Sequence, residues 1–348
     1  MVVLFKGCFT ALVTPMDKDM NIDYGALRSL IDFQVREGVS GIVVTGTTGE
    51  SPTLTWEEHI SVIESAWNFA DGKCHVIAGT GSNNTREALE ATERSVEIGV
   101  KTILLVDPYY NGPSSLEIRR EYIEPIAERF RETQVIPYII PGRTGTQLQP
   151  QDLALLHDKF PNVNAVKEAT GNLENARMIR RLCGGEFSIL SGDDDKTLGL
   201  MKDPMVMASG VVSVTSNVAP RAVQSMVEAL MKGDYGKGEE IAEKLKPLFQ
   251  IVTVNTVEDT PYGTVSCKAR NPLPYKTLMA VLGFPVGPCR PPLGKMTRKG
   301  FQIILEKTRQ VYEDSPEILQ PIEGFLDVNL EERLYREKYW RGLTYEGY

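Results

Sequence analysis

Lys167 stands near the end of a short apolar run, residues 163–172, VNAVKEATGN. In a strand, alternate side chains share a face. Val163, Ala165 and Lys167 then lie on one face, and Asn164, Val166 and Glu168 on the other. Apolar surroundings disfavour the charged form of an amine and lower its pKa. A neutral amine adds to carbonyl carbons, which is the requirement for Schiff-base catalysis. Taken alone, Lys167 reads as well as a surface lysine paired with Glu168.

Other runs bring matching groups. Tyr138 precedes the turn Pro141, Gly142, Arg143, Thr144, Gly145. A phenol at a strand mouth can pass a proton to or from a bound intermediate. A guanidinium on a proline-stiffened turn presents a planar fork to a carboxylate. The run Gly46, Thr47, Thr48, Gly49, Glu50 frees backbone amides and two hydroxyls to face a small anion. By itself it reads rather as an ordinary glycine turn. In Asp107, Pro108, Tyr109, Tyr110, Asn111, the two tyrosines cannot share one core face. One should point at a site or across to another subunit; equally, both read as interface aromatics with no chemistry. Ser191, Gly192, Asp193, Asp194 and Asp195 put three acids beside a glycine at a helix start, where capping explains them. The three histidines, His59, His75 and His157, are scattered and form no metal-ligand set. A lysine, a tyrosine, paired hydroxyls and an arginine, with no cofactor, suit aldol-type chemistry through a Schiff base on a 2-oxo acid.

Eight apolar runs carry these groups: 8–15, 41–47, 74–81, 102–108, 135–141, 163–170, 187–194 and 207–215. An amphipathic stretch follows each. Asp23 can cap the first helix, 23–38. Thr55, with Glu58 three residues on, forms a capping box for the second. The runs are continuously apolar rather than alternating, as strands buried on both faces are. Eight such units predict a (β/α)8 TIM barrel over 1–232, with its site at the C-terminal ends of the strands. A doubly wound open sheet is the runner-up, disfavoured by the count and by the lack of a G-x-G-x-x-G turn after the first strand. Beyond 233 the pattern predicts a C-terminal three-helix domain, 233–312, with helices at 234–254, 272–282 and 295–312 and no strands between them. The extension 313–348 is aromatic and is expected to pack on a barrel or a neighbouring subunit.

The net charge of −8 argues against nucleic acid or an anionic membrane as partner. Five cysteines without a C-x-x-C pair point to a reducing, cytoplasmic setting. The N-terminal MVVLFKGCF is too short for a signal peptide, and no apolar run reaches the ~20 residues of a membrane span.

GTTGE, DPYYN, Y-x-x-P-G-R-T-G, KEATGN and SGDD occur in the order and spacing of the dihydrodipicolinate synthases, and the chain resembles that family over about residues 5–312. The resemblance implies an imine between Lys167 and pyruvate, and no other cofactor. It implies Tyr138 as proton shuttle, with Thr47 and Tyr110 completing a relay. Tyr110 would reach in from a neighbouring subunit of a homotetramer. Thr47 and Thr48 would hold the pyruvate carboxylate, and Arg143 that of L-aspartate 4-semialdehyde. Gly192 and Val212 would line the pocket. The enamine would attack the aldehyde, and ring closure would release Lys167 with the cyclic hydroxy acid of the lysine (diaminopimelate) pathway. L-lysine inhibition is implied through Ser51, Trp56, His59, Asn83, Glu87 and Tyr109, since WEEH and TGSNNTREA resemble the inhibited type. Ile139 departs from the Asn usual after the tyrosine, and the 313–348 extension runs past the family's usual end.

Two rivals stand beside this reading. N-acetylneuraminate lyase or a keto-deoxy sugar acid aldolase would share Lys167 and Tyr138. Arg143 and the tyrosine pair before Asn111 favour aspartate semialdehyde over them. A non-enzymatic barrel that senses an amino acid would have no need of an imine.

Overall fold

The computed structural model describes residues 5–348. The first four residues of the N-terminal stretch weighed as a signal peptide lie outside the described residues. Eight parallel strands close into a barrel in chain order: β1 (Gly7–Ala11), β2 (Gly41–Val44), β3 (His75–Gly79), β4 (Thr102–Val106), β5 (Gln134–Ile139), β6 (Ala165–Glu168), β7 (Ser188–Ser191) and β8 (Gly210–Ser213). β8 pairs with β1 and completes the ring. At this seam a Cβ on Gly210 would stand 2.1 Å from the Gly7 carbonyl oxygen, so only glycine lets the two strands meet. Helices cover the outside and side chains fill the inside. The strands are therefore buried nearly throughout, as their unbroken apolar runs require.

The helix starts follow the expected chemistry. Asp23 accepts from the Ala26 amide at 2.9 Å. Thr55 and Glu58 form the reciprocal capping box of the helix Trp56–Ala70. The helical stretch after β4, from Ser115 to Arg129, is interrupted by a π-helical segment, Ile118–Ile123.

Past residue 233 the strand-free expectation is overturned. The helix Tyr235–Phe249 is followed by an antiparallel hairpin, β9 (Thr253–Thr260) and β10 (Gly263–Arg270), paired over its full length. Helices Leu273–Leu282 and Arg298–Asp314 come after it. The hairpin has a physical cause in the sequence. β-Branched residues are concentrated in TVNTV and GTV on either side of a Pro-Tyr-Gly turn.

A buried ion pair ties this region to the barrel. Lys276 Nζ lies 2.7 Å from Glu50 Oε1, and both side chains are almost fully enclosed. The same ammonium donates to the Thr14 and Pro288 carbonyls, at 3.0 and 2.8 Å. Glu50 Oε2 accepts from the Arg290 amide at 2.8 Å. The pair is thus hydrogen-bonded on all sides, the condition under which buried charge is tolerated.

The extension packs on its own chain. Leu330 and Leu334 are fully buried, each worth roughly 1.5–3 kcal/mol. Phe325 meets Phe33 of the first barrel helix at 5.0 Å between ring centroids. Arg333 donates to the Val281 and Ala280 carbonyls, at 2.7 and 3.1 Å, and so satisfies the end of the helix Leu273–Leu282. Farther on, Tyr345 donates its amide to the Met296 carbonyl at 3.1 Å.

Candidate active site

The register of β5 and β6 sets the centre of the site. Tyr138 and Lys167 are paired across the two strands, and Lys167 Nζ lies 3.9 Å from the centroid of the Tyr138 ring. They are 4% and 6% exposed respectively. Burial brings the Lys167 amine down from 10.5 to about 8; Asp193 opposes that fall and Arg143 adds to it. At pH 7 about one Lys167 in ten is then neutral, against ~1 in 3,000 for an ordinary lysine. Glu168 is not its partner. It faces away from Lys167 and accepts from the Thr170 amide at 3.1 Å and the Asn175 amide group at 3.2 Å.

Burial also raises the Tyr138 phenol to about 12, with Arg143 and a hydrogen bond from Thr47 pulling the other way. It keeps its proton at neutral pH and can hand it on through Thr47. A cavity of about 230 Å3 opens over these groups and is lined by Thr47, Thr48, Tyr138, Arg143, Lys167, Gly192 and Asp193, among others. A Cβ on Gly192 would fall 2.6 Å from the Ala169 Cβ, so that wall needs glycine. Thr48 Oγ1 accepts from Asn271 Nδ2 at 2.9 Å. With one lone pair taken, its own hydrogen is left to donate into the cavity. Arg143 donates to the Asn271 carbonyl at 3.0 Å, which fixes its fork at the mouth.

Not every expected residue joins this cavity. Val212 is buried in β8 and paired with Phe9, and the residue that lines the cavity from that end is Val214. Tyr110 is 92% exposed, with φ at 78°, and lines no cavity described in the single chain. Tyr109 instead lines an adjoining cavity of about 210 Å3, which shares Thr47, Tyr138 and Arg143 and extends to Ser51. Near it, Asn83 accepts from the Tyr109 amide at 2.9 Å, and the Glu87 carboxylate is close enough to help burial raise the Tyr109 phenol. Trp56 stacks on His59 with centroids 4.8 Å apart. His59 Nε2 donates to the Gly79 carbonyl at 2.6 Å, which leaves Nδ1 as an acceptor, and burial holds the ring neutral with a pKa of about 4. Ile139 is buried within β5.

The capping explanation of the three acids is corrected. Neither Asp193 nor Lys196 caps a helix through its side chain. Asp194 instead accepts from Ser213 and from the Val214 and Thr215 amides, tying β7 to β8. Asp193 supplies negative charge to Lys167. Asn271, Lys268 and Arg270 also line the cavity. They come from beyond residue 233, where the sequence offers no spacing to the barrel that would point to them.

The chain is similar to known proteins along most of its length. Residues 4–308 match the model of the dihydrodipicolinate synthetase family. The 4-hydroxy-tetrahydrodipicolinate synthase of Methanococcus vannielii is 39% identical over 293 residues, 84% of this chain and 94% of the relative. The solved dihydrodipicolinate synthase from Aquifex aeolicus superposes with a TM-score of 0.80 at 36% identity, over 91% of this chain and 100% of that one. The DHDPS from Cyanidioschyzon merolae, solved with lysine bound, gives 0.80 at 36% identity, over 88% of this chain and 98% of that one. With the strand order, the lysine on β6 and the tyrosine on β5 in place, the chain belongs to the dihydrodipicolinate synthetase family.

Proposed function

We propose that this protein condenses pyruvate with L-aspartate 4-semialdehyde to 4-hydroxy-tetrahydrodipicolinate, a step of lysine biosynthesis, through an imine on Lys167. The observation that carries this reading is the enclosed Lys167 amine, 3.9 Å from the Tyr138 ring centroid at the mouth of the barrel. The amine attacks the pyruvate ketone, and water leaves as the imine forms. Loss of a methyl proton gives the enamine. Its carbon attacks the aldehyde, whose oxygen takes a proton relayed by Tyr138 and Thr47. The substrate's own amine then attacks the imine carbon and expels Lys167. Thr48 donates to the pyruvate carboxylate, and Arg143 binds that of the semialdehyde.

The exposed Tyr110, held at positive φ on its loop, supports a relay completed across a subunit boundary and hence a homo-oligomer of at least two subunits. The grouping of Ser51, Asn83, Glu87 and Tyr109 supports inhibition by L-lysine, with Glu87 meeting an amino group of the inhibitor. Borohydride trapping tests the central claim. Wild type incubated with pyruvate and reduced should gain the mass of the trapped adduct on Lys167, and Lys167→Ala should gain none. An untrapped wild type refutes the imine.

A further inference from the structure

The hairpin of β9 and β10 does more than link two helices. Its two faces are chemically distinct. Val254, Glu258 and Cys267 lie on the side toward the helix Arg298–Asp314 and the extension, where Glu258, Cys267, Arg298, Tyr345 and Tyr348 line one cavity. Thr253, Lys268 and Arg270 lie on the other side and line the cavity that holds Lys167. Residues 268 and 270 share that side because strand side chains alternate. The Arg270 guanidinium also donates to the Gly142 carbonyl at 3.2 Å, one residue from Arg143.

Three cations therefore converge on one rim: Arg143, Lys268 and Arg270. Among the described residues none of them forms an ion pair. Arg270 is near enough to disfavour the charge on Arg143, with burial the larger effect. Like charges held together without a counter-ion cost stability unless something anionic occupies the gap. The nearest acid, Asp193, is largely enclosed and acts on Lys167 as well as on Arg143.

We propose that Lys268 and Arg270 form a second anion subsite which, together with Arg143, selects an aldehyde bearing a carboxylate over an uncharged one. This rests on the reaction assigned above and names two specificity-determining residues for its second substrate. Pyruvate is not involved, because its carboxylate is assigned to Thr47 and Thr48. The hairpin supplies a recognition surface from outside the barrel, and the extension braces that surface from behind.

The test compares L-aspartate 4-semialdehyde with its carboxamide analogue, in wild type, R270Q, the double variant K268Q/R270Q, and R270K. Losing one charge-assisted hydrogen bond should raise KM for the acid roughly tenfold or more. The double variant should lose most of the preference for acid over amide and most of the fall in kcat/KM with added salt. KM for pyruvate and borohydride trapping should stay at wild-type values, which also shows that the variants are folded. R270K, which keeps the charge, should recover part of the preference. An unchanged preference and salt dependence in the double variant overturns the proposal. So does R270K behaving like R270Q, since the residue would then act only by anchoring the hairpin on Gly142. If wild type fails to trap pyruvate, the reaction assignment itself has failed, and that result is separate from either of these.

Discussion

Replacing Lys167 by methionine should abolish activity and make the protein more stable. The side chain is enclosed, and burial moves its amine from 10.5 to about 8. The fold therefore disfavours the ammonium relative to the unfolded chain. At about 1.4 kcal/mol per pH unit that difference comes to ~3 kcal/mol. Its sign follows from the proton count. Below pH 8 both folded and unfolded states carry the proton, and the fold bears the whole cost. Between 8 and 10.5 the unfolded chain holds a proton the folded one has released, so wild-type stability rises with pH. Above 10.5 neither state is charged and the cost is gone. Methionine matches the volume and carries no charge; the pull of Asp193 is already contained in that net shift, and imperfect packing of the new side chain returns part of the gain. The net expectation at pH 7 is about 1–3 kcal/mol, or ~1–4 °C for a chain of this size. Calorimetry of wild type and Lys167→Met at one protein concentration, from pH 6 to 11, measures it. The gain should hold below pH 8 and shrink toward zero by about 10.5. A variant less stable than wild type at pH 7, or a gain that does not change across that window, would refute the view that the site is held against desolvation.

Tyr138→Phe should lower kcat roughly 100-fold or more, the scale of a lost proton transfer, while pyruvate is still trapped on Lys167; steady-state kinetics with mass analysis of the trapped protein separates the two. Lys276→Met should destabilise by about 3–5 kcal/mol, because Glu50 is left buried without its partner. Denaturant melts check this, and the double variant E50Q/K276M should recover part of the loss. Glu87→Ala should shift the L-lysine concentration for half-inhibition upward by roughly tenfold, read from initial rates at fixed substrate.

Most of the barrel is legible in the sequence because each strand is a local apolar run bounded by turn residues. Asp23 and Thr55 cap as expected because capping needs only four consecutive positions. The pairing of Tyr138 with Lys167 is likewise legible, since adjacent β/α units make neighbouring strands. What the sequence hides is contact between distant segments. Asn271 reaches Thr48 across 223 residues, and Lys276 reaches Glu50 across 226. The hairpin is a different failure. Its β-branched residues are present in TVNTV and GTV, but the helical stretches on either side dominate the pattern. The three acids show how a local explanation can mislead: Asp194 lies at a short helix yet uses its oxygens on the last residue of β8 and the two that follow it.

Because Tyr345 and Tyr348 line a cavity on one side of β10 while Lys268 and Arg270 line the Lys167 cavity on the other, that strand can act as a lever. Bulk added or removed at residues 343–348 is transmitted to the entrance through a two-stranded ribbon rather than through any reacting group. Selection, or an engineer, can thus retune which molecules enter by altering a distant stretch of surface and leaving the chemistry untouched.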